Sequence, residues 1–495
     1  MTEHVHVAVV GAGFGGIAAA ARLIADGVDS LIVLERGDAI GGVWRDNIYP
    51  GAACDVESNL YELAAAPNGD WSRRFAPQPE IQAYLEQTAE TLGVTPHLRL
   101  GTTVERAEWD ADALQWRIET DRGAWTADVL VAAPGGLAEP RMPDIPGLDT
   151  FEGETMHTSR WRDDVELEGK RVGVVGTGAS AAQVVPPVQR VARELVLFQR
   201  TAPWVIPRRD KPIADRTRRR MAEAGWMKRA VRGALYVRHE ALGLAFRHPR
   251  IAAFAEAVLA RRHLRKQVAD PALRAVLTPD FRLGCKRLLL SDDYYPALAA
   301  DNATVVDGAL VEVLERSGVG ADGVERPLDV LVFATGFHVH DYPFGGLVVG
   351  REGRTLAETW RPSPVAHVGT TVAGFPNFFL IQGPNTGLGH SSVILTAEAQ
   401  VEHVANALAA MRTNGLAAVE PTAEAQAEWV EEVDRLGEGT VWTAGGCESW
   451  YLDETGRNAA IWPGSVPAFR RRVAPFDPAD YTLTPAHSEP VHVPA

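Results

Sequence analysis

A chain of 495 residues is too long for one ordinary core, and at about 150 residues per domain it asks for about three units. With 46% hydrophobic and 23% charged residues, and 46 Gly and 32 Pro spread along it, the composition is globular and excludes disorder and collagen. A formal charge of −15 excludes a whole-surface nucleic-acid binder. The three cysteines (Cys54, Cys285, Cys447) lack CxxC spacing, so they offer neither a disulfide framework nor a metal knuckle, and each reads as a small buried residue in a reducing compartment.

The amino terminus enters a strand-like run at once, without the charged and apolar regions of a secretory leader, and no stretch approaches the ~18 apolar residues that cross a bilayer. A cytoplasmic protein without stable membrane insertion is expected. Residues 5–10 are a β-branched run, followed by Gly11-Ala12-Gly13-Phe14-Gly15-Gly16 and an alanine-rich stretch to about Asp26, which reads as strand, tight turn and helix. A second run, Leu31 to Leu34, ends at Glu35 and completes a βαβ unit. The same grammar returns where Arg171 to Val175 leads into Gly176-Thr177-Gly178-Ala179-Ser180-Ala181, and Leu195 to Phe198 leads to Gln199 and Arg200.

Each unit has a closing echo, Asp128 to Gly135 in the first and Asp329 to Gly336 in the second. The expected fold is therefore α/β, with two Rossmann-like dinucleotide-binding domains and a helical insertion in the second. The first is expected from 1–143 and 367–495, the second from 144–206 and 283–366, and the insertion over 207–282. Between Arg208 and Lys266 stand 17 Lys/Arg against 5 Asp/Glu, which makes the insertion basic. It reads as a helical cap over a substrate pocket, with a membrane-surface role as the other reading.

Each glycine motif follows a strand and opens a helix, the context in which backbone N–H groups and the helix dipole receive a pyrophosphate. Gly11, Gly13 and Gly16 form the first cradle; Gly176, Gly178 and Ala181 form the second. Glu35 stands 24 residues after Gly11 and Arg200 stands 24 after Gly176. A carboxylate accepts hydrogen bonds from a free ribose diol, whereas an arginine pairs with a 2′-phosphate, so the first site is assigned to FAD and the second to NADPH.

Two fingerprints carry a family resemblance. Gly41-Gly42-Val43-Trp44, Tyr49-Pro50-Gly51 and Asp55 match [A/G]GxWxxxx[F/Y]P[G/M]xxxD, and Phe151, Gly153, His157 and Trp161 match FxGxxxHxxxW, with Arg162 departing where Pro or Asp is usual. The sequence resembles the type I Baeyer–Villiger monooxygenases over nearly its whole length. That resemblance implies oxygen insertion beside a ketone carbonyl through a C4a-peroxyflavin, with NADPH, FAD and O2. N- or S-oxygenation and NADPH binding without turnover are the alternatives.

By the same resemblance, Arg287, after Gly284-Cys285-Lys286, is the catalytic candidate, and Asp55 orients it. Lys286 helps Arg200 hold the 2′-phosphate. Val43, Trp44, Tyr61, Val104, Thr177, Ser180, Gln183, Thr201 and Trp450 are implied among the cofactor contacts, and the helix after Gly383 to His390 points at the flavin. Ala53 departs from the arginine that many relatives carry. His157 is expected to hold the domain linker, no metal is expected, and the chain is expected as a monomer or weak homodimer.

Overall fold

Continuous apolar runs become strands covered on both faces, and Glu3–Val10 shows why. Its Val7 and Val9 belong to one buried cluster, with the helix Phe14–Ala25, while Ala8 and Val10 belong to another on the opposite face. This strand pairs in parallel with Leu31–Leu34 and Gly123–Ala132, with Val7 opposite Leu31 and Val129. The structure is a computed structural model that describes residues 2–340 and 343–486.

The first sheet has eight strands and draws on distant parts of the chain. Phe378–Leu380 pairs with Gly123–Ala132, and Val348–Val349 pairs with Val104–Asp110, so the chain re-enters this sheet ahead of residue 367. The helix Ile394–Asn414 then packs on Phe14–Ala25. The second sheet has five parallel strands in the order Ala303–Asp307, Glu194–Gln199, Arg171–Val175, Val330–Phe333 and Glu154–His157. Two dinucleotide-binding folds of α/β type are thus present, each with a glycine turn between a parallel strand and the helix that follows it.

Between them the insertion folds as the helices Asp215–Glu223, Gly225–Arg247, Pro249–Ala255, Arg261–Gln267 and Pro271–Val276. Its two ends are brought together by a parallel ribbon, Val205–Ile206 against Leu289–Leu290. No helix among the described residues is long and apolar enough to cross a membrane.

The cysteine reading is corrected. Cys285 and Cys447 form a disulfide with an S–S distance of 2.06 Å, and only Cys54 is a free, buried thiol. The partners lie 162 residues apart, so local spacing carried no sign of the bond, and cysteine usage no longer argues for a reducing compartment.

Candidate active site

Both glycine turns are pressed against the strand that closes their unit. A Cβ on Gly11 (φ +98°) would lie 2.4 Å from the Ala133 carbonyl oxygen, and one on Gly176 (φ +111°) would lie 2.4 Å from that of Ala334. A Cβ on Gly16 would strike the Gly11 carbonyl oxygen at 1.8 Å, so helix and turn touch. Gly13 and Gly178 cap the helices Phe14–Ala25 and Ala179–Val191 without a side-chain cap and with no acidic residue in the first turn. Their N–H groups are left to an anion, and a Cβ on Gly178 would meet nothing within 4 Å. Both cradles fit the pyrophosphate of a dinucleotide.

Glu35 and Arg200, the residues expected at the two riboses, sit in different surroundings. Glu35 is buried, its carboxylate accepting from Ala12 N–H at 2.8 Å, Gly37 N–H at 2.7 Å and the Arg45 guanidinium at 2.6 Å. Arg45 was not anticipated; it fixes Glu35 and also bonds Asp46 at 2.7 Å. Arg200 is exposed at the end of Glu194–Gln199, and Lys286 is half-buried over the Phe281 ring. Burial and the neighbouring Arg200 charge together push the Lys286 ammonium below its ordinary value. Two cations that repel one another in this way are suited to a shared dianion.

Arg287 and Asp55 meet across 232 residues of sequence. Nε donates to one carboxylate oxygen at 2.9 Å, and one terminal nitrogen donates to both oxygens at 2.8 and 2.6 Å. The Asp55 charge holds the guanidinium protonated far above any working pH. Arg287 keeps 32% of its side chain open, so the pair is supported from one side while the other faces space. The buried Tyr451 phenol lies beside it, and the disulfide at Cys285 ties the preceding residues to the segment that leads to Trp450.

The loop after Asp55 is held by a buried network that sequence reasoning missed. Glu57 gathers Arg74 at 2.9 Å, Arg238, and His239 Nε2 at 2.7 Å, while His239 Nδ1 faces the His390 carbonyl oxygen at 2.7 Å. Each ring nitrogen of His239 thus faces an oxygen, and burial pushes the imidazole below its ordinary value. The network binds the insertion, the Asp55 loop and the loop before Ile394–Asn414 into one body. The Cys54 carbonyl also accepts from Arg208 at 2.8 Å.

Other positions fall around these groups. Gln183 donates to the Ala53 carbonyl at 2.8 Å and accepts from the Tyr49 hydroxyl at 2.8 Å, joining the two dinucleotide folds. Val43 and Trp44 begin the turn Val43–Asp46, and the Trp44 indole donates to the Tyr61 hydroxyl at 3.1 Å. Val104 is buried at the start of its strand. The Thr177 hydroxyl donates to the Thr201 carbonyl at 2.7 Å, Ser180 lies in the first turn of Ala179–Val191, and Ala181 is fully buried behind it. Trp450 is 42% exposed and leans on Tyr451. His157 is buried, its Nδ1 accepts from Ser159 N–H at 3.1 Å, and burial holds its pKa down to about 4, in keeping with a linker role. Arg162 is outside the site and pairs with Glu154 at 2.6 Å and Asp164 at 2.8 Å.

Two dinucleotide-binding folds in one chain, the second carrying a helical insertion, fit an oxidoreductase that uses two nucleotides. Residues 4–213 match the family described as flavin-binding monooxygenase-like. The chain is 50% identical over 492 residues to a Baeyer–Villiger monooxygenase of Streptomyces coelicolor, covering 98% of this chain and 94% of that protein. It is 41% identical to one of Pseudomonas aeruginosa, over 97% and 92%. An NADP-bound oxidized steroid monooxygenase superposes with a TM-score of 0.85 at 33% identity, covering 98% of this chain and all of that one. Cyclohexanone monooxygenase from Rhodococcus sp. Phi1, bound to NADP+, superposes at 0.87 with 29% identity and the same coverage. The chain belongs to the Baeyer–Villiger monooxygenases.

Proposed function

We propose that this chain inserts one oxygen atom of O2 beside the carbonyl of a ketone, giving an ester or lactone, with FAD and NADPH as its cofactors. The observation that carries the reading is the Arg287–Asp55 pair, a permanent cation fixed by two carboxylate oxygens yet open on one side. The uncapped helix at Gly13 would hold the FAD pyrophosphate and Glu35 its ribose, while the helix at Gly178 would hold the NADPH pyrophosphate and Arg200 with Lys286 its 2′-phosphate. Bound FAD, reduced by NADPH, supplies the activation of O2 that no side chain can provide.

The residues do the rest by position and charge. Arg287 lowers the energy of negative charge that develops on oxygen near it, and its planar fork directs that stabilisation. Asp55 holds the fork in one orientation and balances its charge when water is excluded. Gln183 keeps the two nucleotide folds in register through Ala53 and Tyr49, which sets the approach of one nucleotide to the other. Aerobic incubation of the yellow holoenzyme with NADPH and a panel of linear, cyclic and aryl ketones tests the reading. Ester or lactone products support it; oxidation of amines and sulfides alone, with ketones returned unchanged, would replace it with heteroatom oxygenation.

A further inference from the structure

The helical insertion turns apolar side chains outward to a degree found nowhere else among the described residues. Eight of the eighteen exposed large hydrophobic residues fall between Trp226 and Leu259. In the helix Gly225–Arg247 the inner face buries His239, Gly243 and Phe246 and rests Leu235 and Tyr236 on the core of the first fold. The opposite stripe, at intervals of three and four residues, presents Trp226 at 69% and Val237 at 67% exposure, with Ala230 and Ala234 between them and Ala241 beyond. The next helix, Pro249–Ala255, adds Ile251 and Phe254, the latter 69% exposed. A surface helix ordinarily gives its outer face to charge, so this stripe is inverted.

Exposed arginines flank the stripe along the chain. Arg216, Arg219, Arg220, Arg229, Arg250 and Arg262 are exposed, and no ion pair among the described residues engages them. The stretch Arg208 to Lys266 holds 17 Lys/Arg against 5 Asp/Glu, in a chain with 49 Lys/Arg and 64 Asp/Glu overall, so the cations are concentrated on one acidic body. We propose that this face docks reversibly on an anionic lipid surface, with Trp226 and Phe254 seated at headgroup level and the arginines paired to lipid phosphates. A nucleic acid would use the cations but has no place for Val237, Ile251 or Val258. A second copy joined by a twofold axis would set the same basic cluster against itself.

Cosedimentation of the FAD-loaded protein with vesicles of phosphatidylcholine, alone or mixed with phosphatidylglycerol, tests it. Binding is expected only to the anionic vesicles, with release at high salt. Binding should fall by about ten-fold or more both in Trp226→Ser/Phe254→Ser and in Arg219→Glu/Arg220→Glu. Flavin content and NADPH oxidation with a water-soluble ketone should be unchanged in both variants. No binding by the parent protein to anionic vesicles at low salt would overturn the proposal. Undiminished binding by the folded, yellow Trp226→Ser/Phe254→Ser variant would do the same. A dimer in light scattering that this variant abolishes, without lipid binding by the parent, would assign the face to a second copy.

Discussion

Replacing Arg287 with Ala separates two steps that the structure places on different groups. The substitution removes three hydrogen bonds to Asp55 and a cation that keeps an open side. Loss of a fixed electrostatic stabiliser costs ~10²–10³ in rate, about 3–4 kcal/mol, and that loss should fall on ester formation. Asp55 is left unpaired, but its side chain is 21% exposed and water can reach it, so the stability cost should stay near ~1–3 kcal/mol, below that of a fully buried broken pair. FAD content should persist because the Gly11–Gly16 cradle is untouched. The assay follows NADPH, hydrogen peroxide and ester in one reaction: NADPH should still be oxidised, with electrons appearing as peroxide. Arg287→Lys should recover only part of the ester, since an ammonium cannot reproduce the two-oxygen grip on Asp55. An Arg287→Ala enzyme that forms ester at near the parent rate would refute the role given to this residue.

Three further outcomes follow from other parts of the site. Arg200→Ala and Lys286→Ala should each weaken the preference for NADPH over NADH by about ten-fold or more, at ~1.5–3 kcal/mol per charge-assisted contact, and equal kcat/KM for the two nicotinamides in the parent enzyme would contradict the pairing. Glu35→Arg sets a guanidinium beside Arg45 where a buried carboxylate accepted three hydrogen bonds; it should purify largely colourless and melt earlier, and full flavin occupancy with an unchanged Tm would count against the assignment. Glu62 is buried beside Trp71, and burial lifts its pKa to about 7. Because the folded value lies above the unfolded one, stability from this group is greatest below pH ~4.5 and falls as pH rises through 7, by up to roughly 3 kcal/mol. Glu62→Gln should therefore stabilise the protein at pH 8 more than at pH 5 in urea melts, and an equal effect at both would show that the carboxyl titrates normally.

What the sequence made legible was what neighbouring residues decide together. The strand Leu31–Leu34 and the strand Arg171–Val175 fall where the apolar runs placed them, because each run, its glycine turn and its helix lie within about thirty residues and need no distant partner to be recognised. Glu35 and Arg200 were legible because their spacing from a glycine is fixed by the βαβ unit itself. The first strand proved longer, Glu3–Val10, since pairing with Trp125 extends it beyond its apolar part. The Asp55–Arg287 contact was anticipated only through family likeness. The Glu57–His239–His390 network spans 182 residues at one link and 151 at the other, and no local pattern marks it. The Cys285–Cys447 bond was hidden for the same reason. The re-entry at Val348–Val349 was unreadable because a two-residue strand carries no periodicity.

Oxygen tracing bears most directly on the central claim. The FAD-loaded enzyme would be incubated with NADPH, isotopically labelled O2 and linear, cyclic and aryl ketones in turn, and the products weighed by mass spectrometry. One labelled oxygen atom in the ring of a lactone, with NADPH consumed in equal amount, is the predicted result. Ketones from every class returned unlabelled, while NADPH is consumed to peroxide or while only sulfides and amines gain the label, would contradict it.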